Sequence, residues 1–192
     1  MSQDKPLYIV TGATGGIGKA ISAALAQQGK AILLACRNVE KAAALAKELS
    51  ATTKNDDINA LKLDLESFAG VREFVKKLKE LNRPVAALIN NAGTMERNSR
   101  ISADGFELTI QVNYLSTALL SLLVAPMVQP KGNILFTTSV MRNFCSITAG
   151  FPSMENFSQL MAYSRSKLTL TLFRAYLSSY LRNSEIRVNC SD

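Results

Sequence analysis

The chain has 192 residues, 47% of them hydrophobic and 19% charged, enough for one domain with a sizeable core and too apolar for intrinsic disorder. Lys and Arg outnumber Asp and Glu by 22 to 15, a formal charge of +7. The basic residues are scattered, Trp is absent and no basic run interleaves with aromatics, which argues against nucleic acid as a partner. Histidine is absent too; no Ser-His-Asp triad, Cys-His pair or histidine-ligated zinc can be built, no metal is expected, and acid–base chemistry falls to Tyr, Lys, Asp, Glu or Cys.

In chain order, Met1 to Pro6 is polar and gives no export signal. Leu7 to Val10 is a short apolar, β-branched run that predicts a strand, followed by a glycine-rich turn. A helix is predicted over Ile17 to Gln28, stopped by Gly29, then a buried strand over Ala31 to Ala35. Val39 to Leu49 predicts a helix whose apolar side is Ala42, Leu45, Ala46 and Leu49. Ile58 to Leu63 is the third strand, and Ser67 caps a helix running to Leu81. The alternation continues with a strand at Val85 to Asn90, a helix at Phe106 to Val124 and a strand at Asn133 to Thr138. A long helix, Ser158 to Leu181, and a short strand, Ile186 to Asn189, complete it.

Strands alternating with helices imply right-handed crossovers, so the fold expected is α/β, a doubly wound parallel sheet in one domain over residues 1–192. The chain stops at Asp192 straight after a strand and reads as incomplete at its C-terminus. Leu115 to Met127, the most apolar long run, is too short for a bilayer and contains Ser116, Thr117, Ser121 and Pro126, so it reads as a buried helix. Cys36, Cys145 and Cys190 share no short spacing and read as free thiols, with Cys36 and Cys190 buried in strand-like runs. A cytoplasmic protein with no membrane partner is the expectation.

Thr11-Gly12-Ala13-Thr14-Gly15-Gly16-Ile17-Gly18 joins the first strand to the first helix. Glycines there let backbone approach a pyrophosphate seated on the helix N-terminus; the alternative is a glycine-rich turn without a ligand. At the end of the second strand, where an acidic residue would bind the ribose 2′-hydroxyl of NAD, stands Ala35-Cys36-Arg37-Asn38. Arg37 suits a 2′-phosphate, so NADP(H) is the cofactor expected; the alternative is a solvated surface arginine.

Tyr163-Ser164-Arg165-Ser166-Lys167 lies in the long helix, and a spacing of four puts Tyr163 and Lys167 on one face. An ammonium about 4 Å from a phenolate stabilises it by about 4 kcal/mol at an effective dielectric near 20, which suits Tyr163 to proton exchange at neutral pH. By itself such a spacing is as readily a surface pair.

Taken together these motifs resemble the short-chain dehydrogenase/reductase superfamily, and the resemblance runs the length of the chain. The glycine run fits that family's Thr-Gly-x-x-x-Gly-x-Gly, and Asn90-Asn91-Ala92-Gly93 its Asn-Asn-Ala-Gly signature. Asp64, with Leu65, falls where the family holds adenine. Asn113 falls at its helix asparagine, Ser139 at its catalytic serine, and Tyr163 with Lys167 at the remaining pair. The resemblance implies a Rossmann fold that binds NADP(H) through Gly12, Thr14, Gly16, Ile17, Gly18, Arg37, Asn38, Asp64, Leu65, Asn91, Ala92, Gly93, Tyr163 and Lys167. It implies a carbonyl or alcohol substrate whose oxygen meets Ser139 and Tyr163, with Lys167 on the nicotinamide ribose and Asn113 holding a water relay. It also implies self-association through the two long helices.

Gly12, Gly15 and Gly18 also fit Gly-x-x-Gly-x-x-Gly, which resembles the extended, epimerase-containing branch. Asn90 to Gly93 and Arg37 argue for the ordinary reductase branch instead. Ala-Cys-Arg-Asn and the long Ser139 to Tyr163 separation resemble retinol-dehydrogenase-like members, relatives that often carry an N-terminal membrane anchor. The segment Met141 to Leu160 is longer than in the simplest members, which leaves the substrate-facing path open. The rival functional reading is a non-catalytic NADP-binding regulatory protein on the same fold.

Overall fold

The structure, a computed structural model, describes residues 5–146 and 157–192. Six strands, all parallel, form one sheet in the order β3-β2-β1-β4-β5-β6. They are β1 (Leu7–Thr11), β2 (Ala31–Cys36), β3 (Ile58–Lys62), β4 (Val85–Asn90), β5 (Val128–Thr137) and β6 (Arg187–Ser191). Five helices connect them: α1 (Gly16–Gln27), α2 (Val39–Thr53), α3 (Phe68–Glu80), α4 (Leu108–Met127) and α5 (Gln159–Tyr180).

Helices cover both faces, and the inner strands β1, β2 and β4 are apolar without alternation for that reason. Ile9 and Val10 of β1 are fully buried yet belong to different cores. Ile9 packs with Phe74 of α3, Leu120 of α4 and Leu177 of α5. Val10 packs with Ala26 of α1 and with Ala42, Leu45, Ala46 and Leu49 of α2, the face predicted from spacing alone. Ser67 caps α3 as expected, accepting a hydrogen bond from the Gly70 N–H at 3.0 Å. Gly29 follows the end of α1 with φ +66°, a backbone that favours glycine. Away from the site, Arg83 donates to both carboxylate oxygens of Asp57 (2.9 and 2.8 Å) and to the Lys5 carbonyl (2.6 Å), tying the starts of β1 and β3 to the loop before β4.

Three expectations are revised. β5 begins at Val128, not Asn133: its register against β4 jumps between Val85↔Val128 and Ala87↔Asn133. Pro130, Lys131 (φ +65°) and Gly132 look like a turn in the sequence but form the irregular stretch inside this strand. Helix α4 is longer than its apolar run; at 20 residues, with a mean hydropathy of 1.6 over its most apolar 18, it is long and apolar enough to cross a membrane, yet 67% of that stretch is buried in this fold. Cys36 is buried as expected, but Cys190 is exposed. Among the described residues β6 pairs on one side only, and within it Val188 alone is buried. All three cysteines are free.

Helix α5, one of the two expected to mediate self-association, turns Leu172, Tyr176 and Tyr180 outward, the two tyrosine rings stacked 6.1 Å apart.

Candidate active site

The sheet order reverses between β1 and β4, whose neighbours run in opposite directions along the sheet; the crevice beyond their C-terminal ends is where such folds place ligands. Gly12 (φ +64°) ends β1 there, and a Cβ on it would stand 2.9 Å from Ala92 Cα. Two neighbouring loops therefore meet through bare backbone. Thr11 locks them: its Oγ1 accepts from the N–H groups of Asn91 (3.0 Å) and Ala92 (2.9 Å). Asn91 Nδ2 returns a bond to the Thr11 carbonyl at 3.0 Å.

Gly18 is tighter still. A Cβ on it would fall 2.4 Å from the Gly12 oxygen and 2.8 Å from Asn91 Nδ2, whereas one on Gly16 would meet nothing within 4 Å. Gly18→Ala is thus expected to cost about 2–3 kcal/mol of stability and to displace the Gly12 and Asn91 loops. Gly16→Ala should unfold at the wild-type denaturant midpoint. Parallel urea titrations check this, and equal midpoints for both variants would refute it.

Beside these loops lies a cleft of about 700 Å³. Every residue expected to bind the body of the nucleotide lines it: Gly12, Thr14, Gly16, Ile17, Gly18, Arg37, Asn38, Asp64, Leu65, Asn91, Ala92 and Gly93. Helix α1 opens into it, its N-cap Gly15 offers no side-chain cap, and its first turn carries no acidic residue. Its free N–H groups and positive end face a place suited to an anion. Asp64 also shapes the backbone, since its Oδ1 accepts from the Glu66 N–H at 2.9 Å. Arg37, exposed at the rim, forms an ion pair with Glu66, and Glu66 also meets Arg100 at 2.9 Å.

Helix α4, the end of β5 and helix α5 bring the second group of predicted residues to this end of the sheet. In α4, the stretch Gln111–Leu115 is π-helical, closed by a bond from the Ser116 N–H to the Gln111 carbonyl. Such a bulge re-aims one side chain within a helix and recurs at functional sites. Here it carries Asn113, 1% exposed. Asn113 Oδ1 accepts from the Thr94 N–H (2.7 Å), and its Nδ2 donates to the Thr94 carbonyl (2.8 Å) and to Ser166 Oγ (3.0 Å). Ser166 Oγ in turn donates to the Tyr163 carbonyl at 2.7 Å. The bulge thereby fixes both the loop after β4 and the first turns of α5.

Lys167, 3% exposed, donates to the Thr137 carbonyl at 2.8 Å, two residues before Ser139. Its Nζ stands 5.7 Å from the centre of the Tyr163 ring, and a Cβ on Gly93 would lie 3.5 Å from Nζ and 3.3 Å from Asn113 Oδ1. Gly93 thus keeps an opening between cleft and ammonium. Burial pushes the Lys167 ammonium down from 10.5 to about 8. Ser139 caps the 3₁₀ turn Val140–Phe144, its Oγ accepting from the Met141 N–H at 3.3 Å. Beyond that turn, residues 147–156 of the long Met141 to Leu160 connection lie outside the described residues.

Thr11, Thr94, Thr137 and Ser166 are contributors that sequence reasoning did not single out as site residues. Thr11 alone had a signal, as the first residue of the glycine motif. The others act through partners remote in sequence.

A glycine-lined crevice at the switch point of a parallel sheet, with a tyrosine, a buried lysine, an asparagine and a serine at one end, defines the class of a dinucleotide-binding α/β fold. The comparisons agree: the family model for short chain dehydrogenase matches residues 7–191, and the chain belongs to that family. It is 37% identical over 190 residues to human retinol dehydrogenase 13, covering 94% of this chain and 56% of the relative. It is 33% identical over 193 residues to human polyprenol dehydrogenase, covering 96% of this chain and 58% of the relative. The chain thus spans little more than half the length of these relatives. Among solved structures, a short-chain dehydrogenase from Burkholderia cenocepacia in complex with NADP superimposes with a TM-score of 0.76 at 25% identity, covering 97% of this chain and 72% of that one. Another, from Sphingobium yanoikuyae in complex with NADPH, gives 0.76 at 26% identity, covering 96% and 69%.

Proposed function

We propose that this protein is an NADP(H)-dependent oxidoreductase that moves a hydride between nicotinamide and a carbonyl or alcohol substrate, with Tyr163 as the acid–base group. The observation that carries this reading is the buried ammonium of Lys167 held beside Tyr163, Gly93 and Asn113 at one end of the cleft. Desolvating a lysine is costly. A protein that only bound nucleotide would need no such group under the tyrosine, which weighs against the regulatory alternative.

The cleft fits the cofactor. Gly12 and Gly18 allow backbone where any side chain would collide, and the uncapped start of α1 suits the pyrophosphate. Arg37 at the rim suits a 2′-phosphate, a reading supported by relatives solved with NADP and NADPH. When bound, the nicotinamide would supply or accept the hydride. The chain's own residues do the rest. Ser139 Oγ accepts from the Met141 N–H through a lone pair, so its proton stays available to a substrate oxygen. Tyr163 donates a proton to that oxygen in reduction and takes it back in oxidation. Lys167 spends one N–H on Thr137 and keeps two for the ribose hydroxyls and the tyrosine side of the site. Asn113, its amide fully engaged, fixes the loop geometry around them.

The first test is titration with NADPH and NADH, followed by nicotinamide fluorescence, in the wild type and Arg37→Ala. NADPH should bind more tightly than NADH, and the variant should lose about tenfold in NADPH affinity with little change for NADH. An unchanged preference in the variant would remove Arg37 from the cofactor site; binding of neither nucleotide would remove the enzyme reading.

A further inference from the structure

The arginine that suits the 2′-phosphate is not waiting free. Arg37 Nη1 is paired with Glu66 Oε1, and Glu66 Oε2 is paired with Arg100 Nη2 at 2.9 Å. Arg100 also stands 3.6 Å from Glu96, and Glu96 accepts from Thr94 Oγ1 at 2.7 Å. Arg37, Glu66, Arg100 and Glu96 all line the nucleotide cleft. They form an alternating row of two cations and two anions across its rim, neutral in sum.

Glu66 is built into its place. Its N–H is held by Asp64 Oδ1, and the next residue, Ser67, caps α3. Its side chain is 28% exposed, against 68% for Arg37, so the carboxylate is the anchored member of the pair and the guanidinium the exposed one. A phosphate arriving at the rim therefore meets an arginine whose fork already holds an anion.

We infer that Glu66 is a selectivity element of this site, an internal counter-ion that a 2′-phosphate must displace from Arg37. The inference rests on the cofactor reading above. The exchange strands no charge, because Glu66 keeps Arg100 when it gives up Arg37, and the phosphate takes over the guanidinium. NADH lacks the phosphate and leaves the pair intact, so Glu66 restrains NADPH affinity selectively. Two carboxylate oxygens on two different arginines make this possible; with Arg37 as its only partner, displacement would leave Glu66 unpaired.

The test is a double-mutant cycle read by fluorescence titration with NADPH and with NADH, using the wild type, E66Q, R37A and the double variant. Removing the competing charge at this exposed pair should tighten NADPH binding about fivefold while NADH stays within about twofold. In the R37A background E66Q should have no effect on NADPH. Weaker NADPH binding in E66Q, an equal shift for both nucleotides, or the same effect with and without Arg37 would overturn the inference. NADH affinity serves as the folding control. Wild-type protein that binds neither nucleotide would overturn the cofactor reading, and this inference with it, a result distinct from the other three.

Discussion

Replacement of Tyr163 by Phe is expected to lower kcat for carbonyl reduction by about a thousandfold, with NADPH affinity held within about threefold of the wild type. The substitution isolates the hydroxyl. Tyr163 is half-buried near the start of α5, and the bond that fixes its backbone runs from Ser166 Oγ to its carbonyl, which Phe retains. The ring over which Lys167 Nζ stands at 5.7 Å is retained too. What disappears is the O–H that would protonate the substrate oxygen. Histidine is absent from the chain, so no neighbouring imidazole can substitute. Steady-state oxidation of NADPH against a panel of aldehydes and ketones, with nucleotide affinity measured in parallel, checks both halves. A variant that keeps kcat within tenfold would take the acid–base role from Tyr163.

Much of this site was legible because its constraints are local. Gly12 is demanded by its positive φ, Gly18 by the Gly12 carbonyl across the β1–α1 turn, and Tyr163 and Lys167 by one turn of a helix, so short motifs record them. Strand β4, six consecutive buried residues, was readable residue for residue, as was the apolar face of α2. The start of β5 was not. Its irregular stretch is stabilised by pairing across the sheet, while Pro130 and Gly132 locally signal a turn. Cys190 was misplaced for a related reason: an apolar strand pattern does not tell how much of a strand its neighbours cover, and among the described residues β6 pairs on one side only. The π-helical stretch around Asn113 has no periodic signature distinct from the helix that contains it. Glu66 escaped notice because its pairs with Arg37 and Arg100 span 29 and 34 positions, separations that no sequence window spans.

Lys167→Met is expected to abolish activity, by a hundredfold or more, and yet to stabilise the nucleotide-free protein by about 2 kcal/mol at pH 7. The gain follows from burial. The lysine is 3% exposed, its ammonium donates one hydrogen bond, to the Thr137 carbonyl, among the described residues, and burial holds it at about 8 instead of 10.5. A group charged more readily in the unfolded chain than in the folded one opposes folding wherever it must be charged in both. The cost is therefore full below pH 8 and fades as pH rises from 8 towards 10.5, where the unfolded lysine also loses its proton. Methionine fills a similar volume without that cost, forgoing one hydrogen bond. Urea denaturation at pH 7 and at pH 10 should show the variant ahead at the first and nearly level at the second; a variant less stable than wild type at pH 7 would mean that the ammonium is compensated where it lies. Saturating NADPH should reverse the order, because bound nucleotide stabilises the folded state in proportion to its affinity, and only the wild type offers ribose hydroxyls the two remaining N–H groups of Lys167. The buried charge is then a cost of the empty site that the cofactor offsets.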